Sequence, residues 1–241
     1  MQSRFENPAT IERQSPSNSE WALSDVAWNV PFDEPVLSQS VDRLAKRTFC
    51  FLNRTETLPS STLWDASKLP RLWRYNLHYF DWLWSLAGSG PNGWEIAKGF
   101  ATDWIENHLP RRGATGWEPY PTSLRLTNWS LFFLGHWREL TLADKEFFDQ
   151  LTLSMWRQYQ LLSRHVEYHI LANHLLENSV ALAVGGRFFE GDFGRQIGRL
   201  GNRLCRQQLN EQILLDGLHY ERSPMYHARV CWLTRILGLR R

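Results

Sequence analysis

What this 241-residue chain lacks narrows its reading before any motif is considered. Cysteine is scarce. Cys50, Cys205 and Cys231 are odd in number, far apart and free of any CxxC spacing, which argues against a disulfide scaffold, and reduced thiols are expected. No apolar run reaches the length of about 18 residues that a membrane span needs. Residues 1–20 contain no apolar h-region, so no signal peptide is read and the chain as written reads as cytoplasmic. The sequons at Asn53 and Asn128 are then taken as accidental. Charge of one sign is also missing. The net charge is +2, with basic residues scattered rather than run together, which argues against a dedicated nucleic-acid binder. There is no HExxH, no βαβ rhythm and no internal repeat strong enough to count.

Aromatic residues, by contrast, are abundant: 13 Trp, 13 Phe and 7 Tyr. Large rings dominate core burial, so most are expected inside. The remainder suits a sugar-binding cleft, where apolar ring faces stack on pyranose faces.

Residues 1–40 are polar and poorly periodic, and read as a loosely ordered arm. From 41 onward helical periodicity dominates. The spacing predicts a helix, or a helix plus a strand, over 41–52, and helices over 72–86, 94–108, 124–140, 144–162, 166–184, 193–208 and 223–239. Residues 111–123 form a Gly/Pro-rich loop, and Gly185-Gly186 is read as the terminator of the 166–184 helix. The expected class is all-α, built of antiparallel helical hairpins that suggest an α/α toroid over 41–241. The last helix has no polar tail, so the domain reads as truncated at its C-terminal end.

Two segments stand out within this helical background. The first is Asn173-His174-Leu175-Leu176-Glu177-Asn178, on a predicted helix that is apolar nearly all round except for one polar stripe. His169, Asn173 and Glu177 are spaced i, i+4, i+8, with His174 and Asn178 beside them. Polar groups on such a helix are costly unless paired or used. One alternative is a buried network of satisfied amides and imidazoles. Another is a metal held by His165, His169 and His174.

The second segment runs from Asp216 to His227. Ser223 is a good N-cap and Pro224 a good first helical residue, which puts Tyr226 in the first turn. There the helix dipole stabilises negative charge, on a phenolate or on a bound carboxylate, and Arg222 adds to the field. The two segments together suggest a site made of an amide, an imidazole and a phenol, with no metal required.

A third cluster, Trp117 to Trp129, offers Arg125, Asn128 and Trp129, and Arg suits bidentate carboxylate binding. The segment from Trp73 to Asp81 adds Tyr75 and His78. For single residues of either cluster a purely structural role is the ordinary expectation.

Taken in order, the segments 72–80, 117–129, 173–178 and 216–227 resemble the N-terminal part of heparinase II/III-like polysaccharide lyases, a family that includes alginate lyases. The resemblance implies an α/α toroid followed by a β-sandwich domain, which this chain lacks as given. It also implies β-elimination at a uronic acid without a cofactor, although the family's C-terminal domain can carry a metal. Asn173 matches the amide that neutralises the substrate carboxylate. His174 and Tyr226 match the proton-transfer residues, and either can be the base. Candidate substrate contacts are Arg125, Asn128, Trp129, Tyr75, His78, Glu177, Arg222 and His227. The expected partner is an acidic polysaccharide, with no nucleic acid and no membrane span, and the oligomeric state is open. Two other readings compete. One is a non-catalytic glycan-binding module. The other is a toroid hydrolase using two carboxylic acids, for which Glu177 and Glu221 are the candidates.

Overall fold

The computed structural model describes residues 39–60, 63–111, 113–170 and 173–238. The expected arm over 1–40 therefore lies outside the described residues, apart from its last two. The order of elements is α1 (Val41–Ala45), β1 (Thr48–Phe51), β2 (Arg54–Thr57), α2 (Arg71–Tyr79), α3 (Gly90–Asn107), α4 (Pro119–Leu131), α5 (Arg138–Ala143), α6 (Lys145–Arg164), α7 (Asn173–Phe188), α8 (Gly191–Gln212) and α9 (Pro224–Gly238). The class is all-α, as the periodicity indicates, with one small hairpin. Among the described residues no helix is long and apolar enough to cross a membrane.

The hairpin is the first departure from the expected helices. Antiparallel β1 and β2 pair Phe51 with Arg54 and Thr48 with Thr57, across a turn in which Leu52 and Asn53 both have positive φ. Phe49 and Phe51 point inward, onto Trp82 and Trp73 respectively, so period-2 burial wins over a short helical pattern. The second departure is at Phe80. The helix expected over 72–86 ends at Tyr79 because Phe80 is left-handed, φ 58°, and a 3-10 turn, Asp81–Leu86, follows. Phe80 is fully buried among Trp64, Trp82 and Trp129, and that ring packing holds the backbone there.

The Gly/Pro-rich loop is shorter than expected. Pro119 and Pro121 lie in the first turn of α4, where a missing N–H costs nothing. After α4 the chain widens into a π turn, Phe132–His136, closed by the Trp137 N–H donating to the Phe132 carbonyl at 2.8 Å. Asp144 caps α6 through its carboxylate, which accepts from the Phe147 N–H.

The helix expected over 166–184 starts late. Residues 165–170 form a turn, and α7 begins at Asn173. His165 and His169 therefore do not share a helix with His174, which dissolves the three-histidine arrangement. Among the described residues no group of three His, Cys, Asp or Glu side chains is placed to hold a metal ion.

Gly185 and Gly186 do not end α7 either. Both are interior residues: Gly185 faces the Tyr159 ring of α6, and Gly186 lies at the close antiparallel crossing with α8, where a Cβ would lie 2.3 Å from the Gly198 Cα. Likewise a Cβ on Gly201 would lie 2.2 Å from the Ala183 nitrogen. The glycines allow two backbones to touch. α9 then docks on α7, and the Arg187 guanidinium donates to the Ile236 carbonyl at 3.0 Å.

The aromatic excess went to the core. Every tryptophan among the described residues is buried or half-buried, and Trp73, Trp82, Trp104 and Trp129 are almost wholly sealed. Arg125 lies in this core at zero exposure.

Candidate active site

The N-termini of α7 and α9 and the first turn of α4 meet in one polar cluster. Asn173 opens α7, half-buried, and His174 follows it. The His174 ring stacks on Tyr120 of α4, with centroids 4.1 Å apart and planes at 25°. Its Nδ1 lies 3.3 Å from an oxygen of Glu167, in the turn before α7. Asn178, one helical turn on from His174, holds that turn in place. Its carbonyl oxygen accepts from the Glu167 N–H at 2.9 Å, and its amide donates to Ser123 at 2.9 Å and to the other Glu167 oxygen at 3.3 Å.

α9 supplies the other wall. Tyr226 sits in its first turn, as the Ser223-Pro224 signal predicts, and the Ser223 carbonyl accepts the first helical bond from the His227 N–H. Arg229, one turn further, donates through Nε to Glu177 of α7 at 2.6 Å. Glu177 is buried, whereas the Arg229 side chain keeps 38% of its exposure. The second Glu177 oxygen is buried with no protein partner.

The electrostatics follow from this crowding. Burial raises the Tyr120 phenol well above its ordinary range, and the Glu177 charge raises it further against the pull of Arg229. Tyr226 acts on Tyr120 in the same direction, so the two phenols lie in each other's field. Tyr79, edge-on to Tyr120 at 5.8 Å, is also raised, chiefly by burial. Burial pushes the Asp81 carboxyl up to about 6, opposed by the Arg229 cation. Burial works against the charge of Arg229, but Glu177, Tyr120 and Asp81 outweigh it and keep the guanidinium firmly protonated. One cation thus organises two carboxyl groups and a neutral phenol at a partly open face.

The other sequence candidates fall elsewhere. Arg125 has no route to a polysaccharide in this arrangement. Its guanidinium lies 4.0 Å over the Trp104 ring and donates to Gln158 at 2.9 Å, to the His78 carbonyl and to Thr122, and burial alone lowers its pKa. Trp129 and His78 are also fully buried, and Trp104 Nε1 donates to His78 Nδ1 at 3.2 Å. Asn128 is a brace, accepting from Trp84 Nε1 and donating to the Tyr79 carbonyl. Tyr75 donates to Glu118, which Arg71 also holds. Arg222 is exposed at a left-handed φ of 50°. His227 is half-buried, with Nε2 3.5 Å from the Cys231 sulfur. Glu221, the second carboxylic acid of the hydrolase reading, is exposed, while Glu177 is tied to Arg229.

Four residues of the cluster were not selected from the sequence: Tyr120, Glu167, Arg229 and Asp81. A signal existed for Arg229, since it lies i+3 from Tyr226 on one helix face. Glu167 gave none, because it reaches His174 only through the unforeseen turn. An apolar cavity of about 190 Å³ between α3 and α6, lined by Trp104, Trp117 and Leu161 among others, contains none of the cluster. The carboxyl groups, phenols and imidazole converge instead in the polar cluster.

Comparison with known proteins agrees with the fold. The family model described as Heparinase II/III N-terminus matches residues 64–239. The crystal structure of heparan sulfate lyase HepC from Pedobacter heparinus superposes with a TM-score of 0.63 at 18% identity, covering 96% of this chain and 38% of that one. The likeness is one of fold, and the chain spans 38% of that lyase's length. No curated protein matches the chain.

Proposed function

The chain belongs to the Heparinase II/III N-terminus family, and from that premise we propose that it serves a polysaccharide lyase reaction, the β-elimination of a uronic-acid-containing chain. The observation that supports this reading is the ion pair of Arg229 on α9 with Glu177 on α7, in the field of the Tyr120 phenol on which His174 stacks, with Asn173 opening α7 and Tyr226 in the first turn of α9.

Each group has a task in that chemistry. The C5 proton of a uronate is too weakly acidic to remove while the neighbouring carboxylate keeps its full charge. The Asn173 amide and the open edge of Arg229 donate to that carboxylate and stabilise the enolate-like intermediate. His174 or Tyr226 takes the C5 proton, since a neutral imidazole is a ready base near pH 7 and a phenol at a helix N-terminus is a second one. The C4–O bond breaks, a C4–C5 double bond forms, and Tyr226 returns a proton to the leaving oxygen. No water is added and the step balances without a cofactor. Glu177 holds Arg229 in position rather than meeting the sugar. An acidic polysaccharide is the partner, as the name of the lyase with the similar fold also suggests.

The test is an elimination assay that follows the near-ultraviolet absorbance of the new double bond, on heparan-type, alginate-type and other uronate polysaccharides. Rising absorbance is expected, with Asn173→Ala and Tyr226→Phe each slowing it by roughly 10²–10³-fold. A flat trace from folded protein that still binds the glycan would replace the lyase by a glycan-binding module. Reducing ends without a double bond would favour the hydrolase.

A further inference from the structure

Asn178 and Glu167 have no task in the elimination itself, yet they are among the most tightly specified polar groups of the cluster. Asn178 is fully buried and Glu167 is 8% exposed. Their mutual bonds use both ends of the Asn178 amide and both the backbone and the side chain of Glu167. A bond from Asn178 to Ser123 ties the pair to α4. One Glu167 oxygen is thereby occupied, and the other faces His174 Nδ1 at 3.3 Å. Burying a carboxylate is costly, and here its remaining acceptor is spent on one imidazole nitrogen.

We propose that Glu167, clamped by Asn178, is the positioning residue of His174. It sets the tautomer so that the proton sits on Nδ1 and the Nε2 lone pair is left for the substrate. A carboxylate only accepts hydrogen bonds, so the contact exists only when Nδ1 carries the proton. Stacking on Tyr120 fixes the ring plane, and the Glu167 bond fixes rotation within it. A carboxylate behind an imidazole also stabilises the imidazolium and makes the far nitrogen a better base. The inference rests on the lyase reading only for the use made of Nε2; the tautomer belongs to the folded protein.

The other groups bearing on His174 are known. Tyr120 presents a neutral phenol from α4, and on its own helix Glu177 is neutralised by Arg229 of α9, which also carries Tyr226. Glu167 is therefore the carboxylate in direct contact with the ring.

Two measurements decide the matter. Nitrogen-15 NMR of the wild-type imidazoles, assigned with His174→Gln, reads the tautomer without any substrate. A proton on Nδ1 is expected; a dominant Nε2–H form of His174 overturns the proposal. Glu167→Gln then removes the charge while keeping the shape. Its amide can donate to Nδ1 as well as accept from it, so the Nε2–H form of His174 is expected to appear in the same spectrum, and elimination to slow about 10–100-fold. An unchanged tautomer in folded Glu167→Gln also overturns it. If no polysaccharide is cleaved, the tautomers of the wild type and of Glu167→Gln still give the answer, so failure of the lyase reading stays distinct from failure of this one.

Discussion

Two regions of this molecule hold the same ingredients and use them in opposite ways. In the ring core, Arg125 lies against Trp104, close to His78 and His108, whose rings stack 4.7 Å apart. In the polar cluster, Arg229 lies among Tyr120, Glu177 and Asp81, with His174 stacked on Tyr120. Both regions combine guanidinium, imidazole and aromatic rings. They differ in two respects, carboxylates and openness. Arg125 bonds only neutral acceptors and is sealed, whereas Arg229 has a carboxylate partner and an open edge. Sealed charge without a counter-charge serves the fold, because an open neighbour would strand it. Compensated charge with one free side is available to a ligand. The core histidines follow the same rule. Burial drives both pKa values down, His108 to about 3, so they are neutral packing groups.

The comparison can be broken in three ways. The largest effect is expected from Arg125→Ala, which empties a sealed site and orphans Gln158 and the His78 carbonyl. A loss of roughly 3–5 kcal/mol in denaturant unfolding is expected. A normal midpoint combined with lost polysaccharide binding would return Arg125 to the site.

Acid comes next. His108 has a folded pKa lowered below its unfolded value of about 6.5. Its neutral form therefore supports the fold fully above pH 6.5, and that support is lost as pH falls from there toward 3. About 2–3 kcal/mol should be lost by pH 4.5 from this residue, and His78 adds in the same direction. Replacing His108 with Gln should flatten the acid limb of a melting-temperature profile between pH 6.5 and 4.5, and an unaltered limb would count against the assignment.

The smallest change in stability, about 1–2 kcal/mol, is expected for Arg229→Met combined with Glu177→Gln, because no buried carboxylate is then left without its counter-charge. The same variant should nevertheless slow elimination by at least about 10²-fold. A stability loss as large as that of Arg125→Ala with unchanged turnover would place Arg229 with the core instead.

The sequence was legible where local chemistry decides. Ser223-Pro224 marks the start of α9, Asp144 that of α6, and the apolar spacing of Trp94, Phe100 and Trp104 marks α3. It misled where a residue's meaning depends on a distant partner. Gly185-Gly186 has the form of a helix stop, but α6 passing against Gly185 and α8 against Gly186 turn the pair into a packing surface. His165, His169 and His174 have helical metal spacing, but the Glu167–Asn178 bonds turn the backbone between them. Arg125 and Arg229 are alike as letters, and only the surroundings of each tell them apart.

By itself, the sequence determined the helical class, several helix boundaries and the placing of Tyr226 in a first turn, because periodicity, caps and prolines act within a few residues; that Asn173 and His174 open a helix came only from the turn before them. The tertiary structure decided which arginine faces solvent, that Glu167 stands behind His174, and that the tryptophans fill the core. Those outcomes depend on burial and on partners far apart along the chain, such as Glu177 with Arg229 or Ser123 with Asn178, and desolvation becomes a property of a side chain only once the helices have packed.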